Sequence, residues 1–349
     1  MRRFFYSYQS DDLTVYPMLS SLKVGDDVDL PMDICHHWCQ VLRAKVGDVG
    51  VLFDGLGGEY QVCLSHIDKK SAQVTLQGFD KVDREANIHA KLALVMSRGD
   101  RMDYAIQKAT ELGVVAIQLL SSHHGEVHLK SQQVDKKLAH WQQIAISACE
   151  QCGLNRPPLL LAPMPIADYL SSSADVSNDK HDTNDKHNKN DKNNKNDKHS
   201  IKVSNSVARL IDEPYYQRLL MPSMPTSMLI TPTDTDNDGM NFLKSEHIKL
   251  MLSVPNVDNA GVDIRAKGLL TVLNHIKSHV KNHVKPTIEL LIGGEGGLSL
   301  AEQKQALATG WQAWQIGERV LRTETAPVVA LASLQALHQS QCLNNECVL

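Results

Sequence analysis

The 349-residue sequence has no run of about 18 consecutive apolar residues, which a membrane-spanning helix would require. Its first residues, MRRFFYSYQSDD, also have no apolar run long enough for a secretory signal peptide. The seven cysteines are odd in number and do not have the spacing of a disulfide framework, which indicates reduced thiols. From these absences we predict a globular cytoplasmic protein without disulfides.

The sequence also lacks an excess of positive charge, since its formal net charge is −4 at pH 7. This argues against a protein coated in positive charge for indiscriminate nucleic-acid binding, but it leaves room for a local basic face. Cys149 and Cys152 form a CxxC motif inside a helical pattern, without a second Cys or His pair at metal-ligand spacing. The cluster of Cys and His around Cys35 is interpreted as packing and surface, so we predict no metal site.

Two domains are indicated by a change of pattern near residue 85. Residues 1–85 contain segments with period-two apolar spacing, such as SAQVTLQGF, around Asp-Gly and Gly-Gly turn signals. This pattern predicts a small, mostly β domain. From KLALVMS onward, an apolar strand, a helix-period stretch and the strand VVAIQLL form a βαβ unit. We therefore predict an α/β domain with a parallel sheet over residues 86–349.

Two stretches are interpreted as insertions in this α/β domain. Residues 171–206 repeat the tripeptide NDK and are almost without apolar side chains, so they cannot bury enough surface to offset the entropy of ordering. We predict that they are disordered. Structure should resume with SMLITP, a short strand ending at Thr231 and Pro232. Residues 233–286 have helical spacing in polar surroundings, which we interpret as a second insertion without catalytic residues.

A glycine-rich loop, LLIGGEGGLSLAEQ at residues 290–303, lies between an apolar strand and a helix start with Ser299 and Glu302 in a capping box. A phosphate cradle does not fit, because Glu295 lies among the glycines and neither GxxxxGK[ST] nor GxGxxG is present. Glycines also let a backbone approach a flat, uncharged group such as an adenine ring. We therefore predict a pocket for such a group.

A second loop, IGERVLRTETAP at residues 316–327, follows another predicted strand, WQAWQIG. Both loops should lie at the carboxyl edge of one parallel sheet, where open α/β sheets bind ligands. Arg319 and Arg322 in the second loop supply fixed positive charges suited to an anionic partner. A role in surface ion pairs is the alternative for these two arginines.

The paired loops resemble the signature loops of the RsmE family, the 16S ribosomal RNA uridine-N3 methyltransferases of the SPOUT superfamily. VMSRGDRMDYAIQKATELGV, WQQIAISACEQCGLNRPP, and HWCQVLR followed by LFDGLGGEY are similar too, and they occur in the right order. The resemblance spans nearly the whole chain apart from residues 170–227 and 233–286. It implies a SPOUT-type α/β domain with a deep trefoil knot, an N-terminal PUA-like β-barrel that helps hold RNA, and a homodimer.

The resemblance also implies that the knot loops bind S-adenosylmethionine (SAM) and that the substrate is one uridine in 16S rRNA of the small ribosomal subunit. The cofactor-binding residues that it implies are Thr231, Pro232, Ile292, Gly293, Gly294, Glu295, Gly296, Gly297, Ile316, Gly317, Val320, Leu321, Arg322 and Thr323. The chain departs from the family at two positions, since the family usually has Pro in place of Gly294 and commonly in place of Glu318.

Methyl transfer to uridine N3 requires the N3 proton to leave, so the site must position the base and favour the N3 anion. Arg319 and Arg322 are candidates for stabilising charge on the uracil carbonyls or for gripping a flanking phosphate. Glu295 is either a proton acceptor or a hydrogen-bonding brace for the loops. The candidate RNA-backbone contacts are Arg2, Arg3, His37, Arg43, Lys45 and Arg98.

Two other functions are compatible with the residues alone. The first is a SPOUT methyltransferase that acts on another RNA, such as tRNA. The second is a non-catalytic RNA-binding factor in ribosome assembly that keeps the fold. A dinucleotide-binding oxidoreductase is disfavoured, because the glycine fingerprint and its acidic ribose partner are missing.

Overall fold

A computed structural model describes residues 1–8, 15–172, 202–213, 215–217, 247–253, 264–282 and 284–346. The predicted strand at SMLITP, with Thr231 and Pro232, and most of the NDK-rich stretch lie outside these residues. Within the described part of the chain, two separate sheets are present. None of the helices described there has the length and apolar character needed to cross a membrane.

The N-terminal sheet has five strands in the order β1-β3-β4-β5-β2. The strands are β1 (Arg2–Phe5), β2 (Asp27–Asp29), β3 (Val49–Phe53), β4 (Glu59–Ile67) and β5 (Ala72–Asp80). Between β2 and β3, helix α1 (Met32–Cys35) continues into a π-helical stretch, His36–Val41, which brings Trp38 into the core of this domain. The alternating burial along β4 and β5 agrees with the period-two pattern, because one face of the sheet packs on this core.

The second sheet has six strands in the order β11-β9-β10-β6-β7-β8. They are β6 (His89–Val95), β7 (Val114–Ser121), β8 (Leu159–Pro165), β9 (Ile248–Leu252), β10 (Thr287–Ile292) and β11 (Gln312–Trp314). The pairings that join them are all parallel. Sequences such as KLALV and VVAIQLL are nearly continuous apolar runs, because helices cover the strands on both faces. The predicted α/β class is therefore confirmed.

Helices from distant parts of the chain cover the two faces of this sheet. They are α2 (Asp100–Glu111), α3 (Ser131–Cys152), α4 (Ile166–Ser172), α5 (Ile264–Lys281), α6 (Leu300–Ala308) and α7 (Thr325–Glu346). One face packs against α2, α3, α5 and α7 around Ile106, Trp141 and Leu331. The other packs against α4 and α6 around Leu170 and Ala306. The sheet is thus a central layer whose carboxyl edge stays accessible to the connecting loops.

The strand β9 corrects the interpretation of residues 233–286 as a surface insertion. It pairs with β10 on one side and β11 on the other, with Leu250 and Met251 buried on opposite faces of the sheet. Helix α5 lies in the same stretch and contributes Val272 to the core. The strand has four apolar residues around Lys249 and buries two adjacent ones on opposite faces, so it shows no alternation and its periodicity cannot distinguish it from a helical segment.

The two domains meet where β1 approaches the C-terminal end of α3. The Phe5 N–H donates to a carboxylate oxygen of Glu150 at 3.0 Å. The guanidinium of Arg3 donates to the carbonyls of Gly153 and Leu154, at 3.1 and 3.3 Å, and lies 2.8 Å from Glu59. The junction therefore combines these hydrogen bonds from β1 to α3 and the residues after it with an apolar cluster in which Phe5 and Phe53 pack against Ile146 and Cys149.

Glu150 makes this junction sensitive to pH. Burial raises the pKa of its carboxyl to about 7 and outweighs the opposing effects of the Phe5 N–H and Arg3. A raised carboxyl pKa means that the stability contribution is complete below the unfolded value of 4.5 and is lost as the pH rises through about 7. Glu150→Gln should not show this loss. As the pH is raised from 5 to 8, we therefore expect the free energy of unfolding of the variant to increase by about 1–3 kcal/mol relative to that of the wild type. Urea unfolding at the two pH values measures this gain, and an identical pH dependence in both proteins would contradict it.

Candidate active site

The glycine loop between β10 and α6 is a tight turn that exposes backbone. Gly297, whose φ is +69°, donates its N–H to the carbonyl of Gly294 at 2.8 Å. A Cβ at Gly293 would lie 2.9 Å from the carbonyl carbon of Gly297 and 3.0 Å from the nitrogen of Leu298. Glycine is required at position 293 because the loop folds back on itself there. The predicted capping box is confirmed, since the Ser299 and Glu302 side chains each bond to the other's backbone N–H.

This turn forms one wall of a cleft of about 450 Å³ at the carboxyl edge of the sheet. The neighbouring strands β9, β10 and β11 all end there, and the loops that follow them supply most of the lining. The lining residues are Arg101, Met251, Leu252, Ser253, Ile292, Gly293, Gly294, Glu295, Gly297, Leu298, Gln303, Ile316, Arg319, Val320, Leu321, Arg322, Thr323, Glu324 and Ala326. Its volume is within the range of about 300–1,000 Å³ typical of small-molecule sites.

The structure brings together most of the residues that the sequence assigned to a cofactor site. Ile292–Glu295, Gly297, Ile316 and 320–323 line the cleft, while Gly296 and Gly317 belong to the same two loops. Sequence reasoning missed the end of β9, where Met251, Leu252 and Ser253 complete the wall. The available signal was IKLML, a segment of strand length with four apolar residues around Lys249.

Charged groups lie at the mouth of the cleft, whereas Ile292, Leu298 and Thr323 in its wall are buried and uncharged. Glu295, at the tip of the glycine loop, pairs with the guanidinium of Arg101. Arg322 is 82% exposed and lies 4.0 Å from Glu324. Arg319 is exposed on the same loop. The arrangement combines an uncharged interior with a charged rim, which suits a small ligand inside and an anionic partner outside.

Glu295 makes a contact outside the two signature loops, because its described partner is the guanidinium of Arg101. Arg101 comes from the first turn of α2, far from the loop in sequence. The pair therefore links the glycine loop to α2.

The candidate RNA contacts divide into two groups. Arg2, His37, Arg43 and Lys45 are exposed on the N-terminal domain, and Arg43 is held at a φ of +56°. Arg98 is exposed and pairs with Glu126 at 3.0 Å.

Arg3 differs from these residues, because its guanidinium already contacts Glu59 and two carbonyls at the domain junction. Arg3 is a junction residue here rather than a free RNA contact.

The chain matches the RNA methyltransferase domain family over residues 84–208 and 262–335, and the RNA methyltransferase PUA domain family over residues 32–77. Because the first match covers more than half of the chain, the protein belongs to the RNA methyltransferase family. The predicted RsmE-type fold class, with a PUA domain before the α/β domain, is confirmed. The trefoil knot stays a prediction.

Curated relatives carry the name ribosomal RNA small subunit methyltransferase E. One, from Buchnera aphidicola subsp. Schizaphis graminum, is 22% identical over 314 residues, which cover 90% of this chain and 92% of the relative. Another, from Buchnera aphidicola subsp. Acyrthosiphon pisum, is 30% identical over 165 residues, covering 45% of this chain and 64% of the relative. The second match therefore spans slightly less than two thirds of that protein.

Two solved structures share the fold. The ribosomal RNA small subunit methyltransferase E of Neisseria gonorrhoeae, bound to S-adenosyl methionine, is 29% identical with a TM-score of 0.61, and the match covers 97% of this chain and 98% of that one. A methyltransferase of Legionella pneumophila in complex with SAM is 23% identical, also with a TM-score of 0.61, over 96% and 97% of the chains. These matches extend over both domains.

Proposed function

We propose that this protein is a SAM-dependent rRNA (uracil-N3)-methyltransferase that modifies one uridine in 16S rRNA of the small ribosomal subunit. The observation that carries the proposal is the cleft formed by two glycine-containing loops at the carboxyl ends of β10 and β11. The name shared by the curated relatives and the Neisseria structure supports the choice of substrate. On the family resemblance, the protein acts as a homodimer in the cytoplasm.

The residues of the cleft fit SAM. The backbone of Gly293 and Gly294 and the apolar side chains of Ile292 and Leu321 would hold the flat, uncharged adenine ring. A Cβ at Gly293 would force this wall to move, which explains the glycine at that position. When bound, SAM supplies an electrophilic methyl group. Ile316–Gly317 and 320–323 would form the opposite wall.

The chain itself must place the uracil and favour loss of the N3 proton. Arg319 and Arg322 stand at the rim, where they can hold the phosphates next to the target nucleotide. Because N3 takes part in base pairing, the uridine must be unpaired or turned out of its stack on binding. Arg2, His37, Arg43 and Lys45 extend the contact surface onto the N-terminal domain.

The proposed function is tested by incubating the purified protein with SAM and either small ribosomal subunits or tRNA, followed by mass spectrometry of the RNA. We expect 3-methyluridine at a single position of 16S rRNA and none in tRNA. Methylation of tRNA alone would identify the protein as a SPOUT enzyme for another RNA. Calorimetry that detects no SAM binding would favour a non-catalytic assembly factor.

Arg322→Ala should lower the single-turnover rate of rRNA methylation by about 10- to 100-fold, the effect of losing one charge-assisted contact of about 1.5–3 kcal/mol. The affinity for SAM should stay within about threefold, because the Arg322 side chain is 82% exposed and a bound cofactor would make few contacts with its guanidinium. Lys304→Ala, which removes an exposed cation from α6, serves as the control. An unchanged rate with intact SAM binding would remove Arg322 from the site.

A further inference from the structure

The ion pair between Arg101 and Glu295 connects two segments at the cleft, the start of α2, which follows β6, and the glycine loop, which follows β10. Arg101 lies in the first turn of α2, which begins at Asp100 directly after Gly99, a residue with a φ of +55°. Glu295 follows β10, which pairs with β6 in parallel register. The carboxyl ends of the two strands are therefore neighbours, and one carboxylate oxygen of Glu295 accepts a hydrogen bond from Nη1 of Arg101.

Stability does not explain this pair. The Arg101 side chain is 49% exposed and that of Glu295 is 35% exposed. Ion pairs at such exposure contribute little to folding, because water and salt screen them. The glycine loop nevertheless places its one charged side chain against the one arginine of α2 that lines the cleft. By contrast, Lys108, two turns further along α2, pairs with Glu111 of its own helix.

The position of the guanidinium suits the charge that develops on the substrate. When the N3–H bond of uridine breaks, the negative charge spreads over N3 and the two carbonyl oxygens of a planar ring. A guanidinium is planar, always charged and has five N–H donors, so one can bond to Glu295 while others remain for a carbonyl oxygen. A donor fixed before the reaction stabilises such charge without further reorganisation.

We propose that Arg101 contacts a uracil carbonyl oxygen of the substrate and stabilises the N3 anion, and that Glu295 is the positioning residue that holds its guanidinium at the cleft. The proton leaves N3 to solvent water, and the electron pair that remains on N3 forms the bond to the methyl carbon as the carbon–sulfur bond breaks. This role rests on the proposed function, since it requires a uracil as the methyl acceptor.

The test compares Arg101→Ala, Arg101→Lys and the control Lys108→Ala. SAM affinity is measured by calorimetry, and single-turnover methylation of small ribosomal subunits is followed from about pH 6.5 to pH 9.5. For Arg101→Ala we expect a loss of about 100-fold near neutral pH, the size found when one donor to a developing anion is removed, with SAM affinity within about threefold. The difference in rate between Arg101→Ala and the wild type should become smaller as the pH rises, because the uracil N3 then loses its proton in solution without a contact from Arg101. The single-turnover rate of Arg101→Lys should lie between those of Arg101→Ala and the wild type, since lysine keeps the positive charge but lacks the planar set of N–H donors.

A second readout separates this role from a structural one. Guanidinium ion added at millimolar concentration should restore part of the activity of Arg101→Ala, whereas methylammonium should restore less. Glu295→Gln should lower the rate by about tenfold, because it leaves the guanidinium in place but weakens its anchor. This variant also tests the proposal if Arg101→Ala does not fold.

Three results would overturn the proposal. A loss of SAM affinity that equals the loss of rate would mean that Arg101 holds the carboxylate of the cofactor. A decrease in the rate of Arg101→Ala that is the same at every pH would mean that Arg101 has only a structural role. A wild-type rate in Arg101→Ala would mean no role in the reaction. If the wild-type protein itself methylates no rRNA, the proposed function fails, and that result is distinguishable because it does not depend on the variants.

Discussion

Gly293→Ala is expected to weaken SAM binding by about 10- to 100-fold. The added methyl group would lie 2.9 and 3.0 Å from backbone atoms of Gly297 and Leu298, which cannot move away as the end of a flexible side chain could. Forcing an extra methyl group into such a place costs about 1–3 kcal/mol, and every 1.4 kcal/mol is a factor of ten in the dissociation constant. Calorimetric titration with SAM measures the effect directly.

Gly78→Ala is the matched control for this substitution. Gly78 lies in β5, and a Cβ there would have Gln61 Oε1 at 4.0 Å as its neighbour among the described residues. We expect SAM affinity within about twofold of wild type for this variant. Equal affinities of Gly293→Ala and wild type would show that the glycine loop does not form the wall of the cofactor site.

Glu289→Ala is expected to destabilise the fold by about 3–5 kcal/mol, the usual cost of removing one partner from a buried ion pair. Glu289 is 3% exposed in the middle of β10, and its carboxylate lies 3.0 Å from Nζ of Lys91. It also accepts a hydrogen bond from the Tyr169 hydroxyl and lies 3.6 Å from His247. The variant would leave the ammonium group of Lys91 in the sheet without this carboxylate. Urea unfolding monitored by circular dichroism measures the loss.

The pH dependence of stability gives an independent check on Glu289. Burial alone would raise the pKa of its carboxyl, but Lys91, His247 and Tyr169 together hold it below the usual range. A lowered pKa means that the stabilisation is present above the unfolded value of 4.5 and is lost as the pH falls toward the folded value. The wild type should therefore lose more stability than Glu289→Gln in acid.

Glu111→Ala provides the comparison for an ion pair that is only partly buried, since Glu111 pairs with Lys108 within α2 and the two side chains are 26% and 31% exposed. We expect this change to cost less than about 1 kcal/mol. If Glu289→Ala lowered the free energy of unfolding by no more than Glu111→Ala does, the contacts of Glu289 with Lys91 and Tyr169 would not stabilise the fold as proposed.

Much of the fold can be predicted because its signals are local. The strands β6 and β7 appear as apolar runs, α2 ends before Gly113, and α3 ends at Gly153 with a φ of +93°. A βαβ unit in turn requires a parallel sheet. The strand β9 gives a weaker local signal, because it is short, it contains Lys249 and polar residues flank it. Its pairing with β10 depends on contacts far away in sequence.

The site shows the same division between local and distant information. The glycine loop and the 316–327 loop could be placed side by side, because both follow strands of one parallel sheet. The contact between Arg101 and Glu295 joins residues 194 positions apart, and the Arg101 segment looks like an ordinary helix start. The contacts of Arg3 could not be predicted for the same reason, since its local sequence gives no sign that the carbonyl of Gly153, after the end of α3, will accept a hydrogen bond from its guanidinium.

Mass mapping of 16S rRNA from cells that lack this protein tests the central claim most directly. We expect the loss of one 3-methyluridine and no other change. Expression of the wild-type protein should restore this modification, whereas Gly293→Ala should not restore it fully. A map identical to that of the parent cells would contradict the assignment of the protein as the methyltransferase for this uridine.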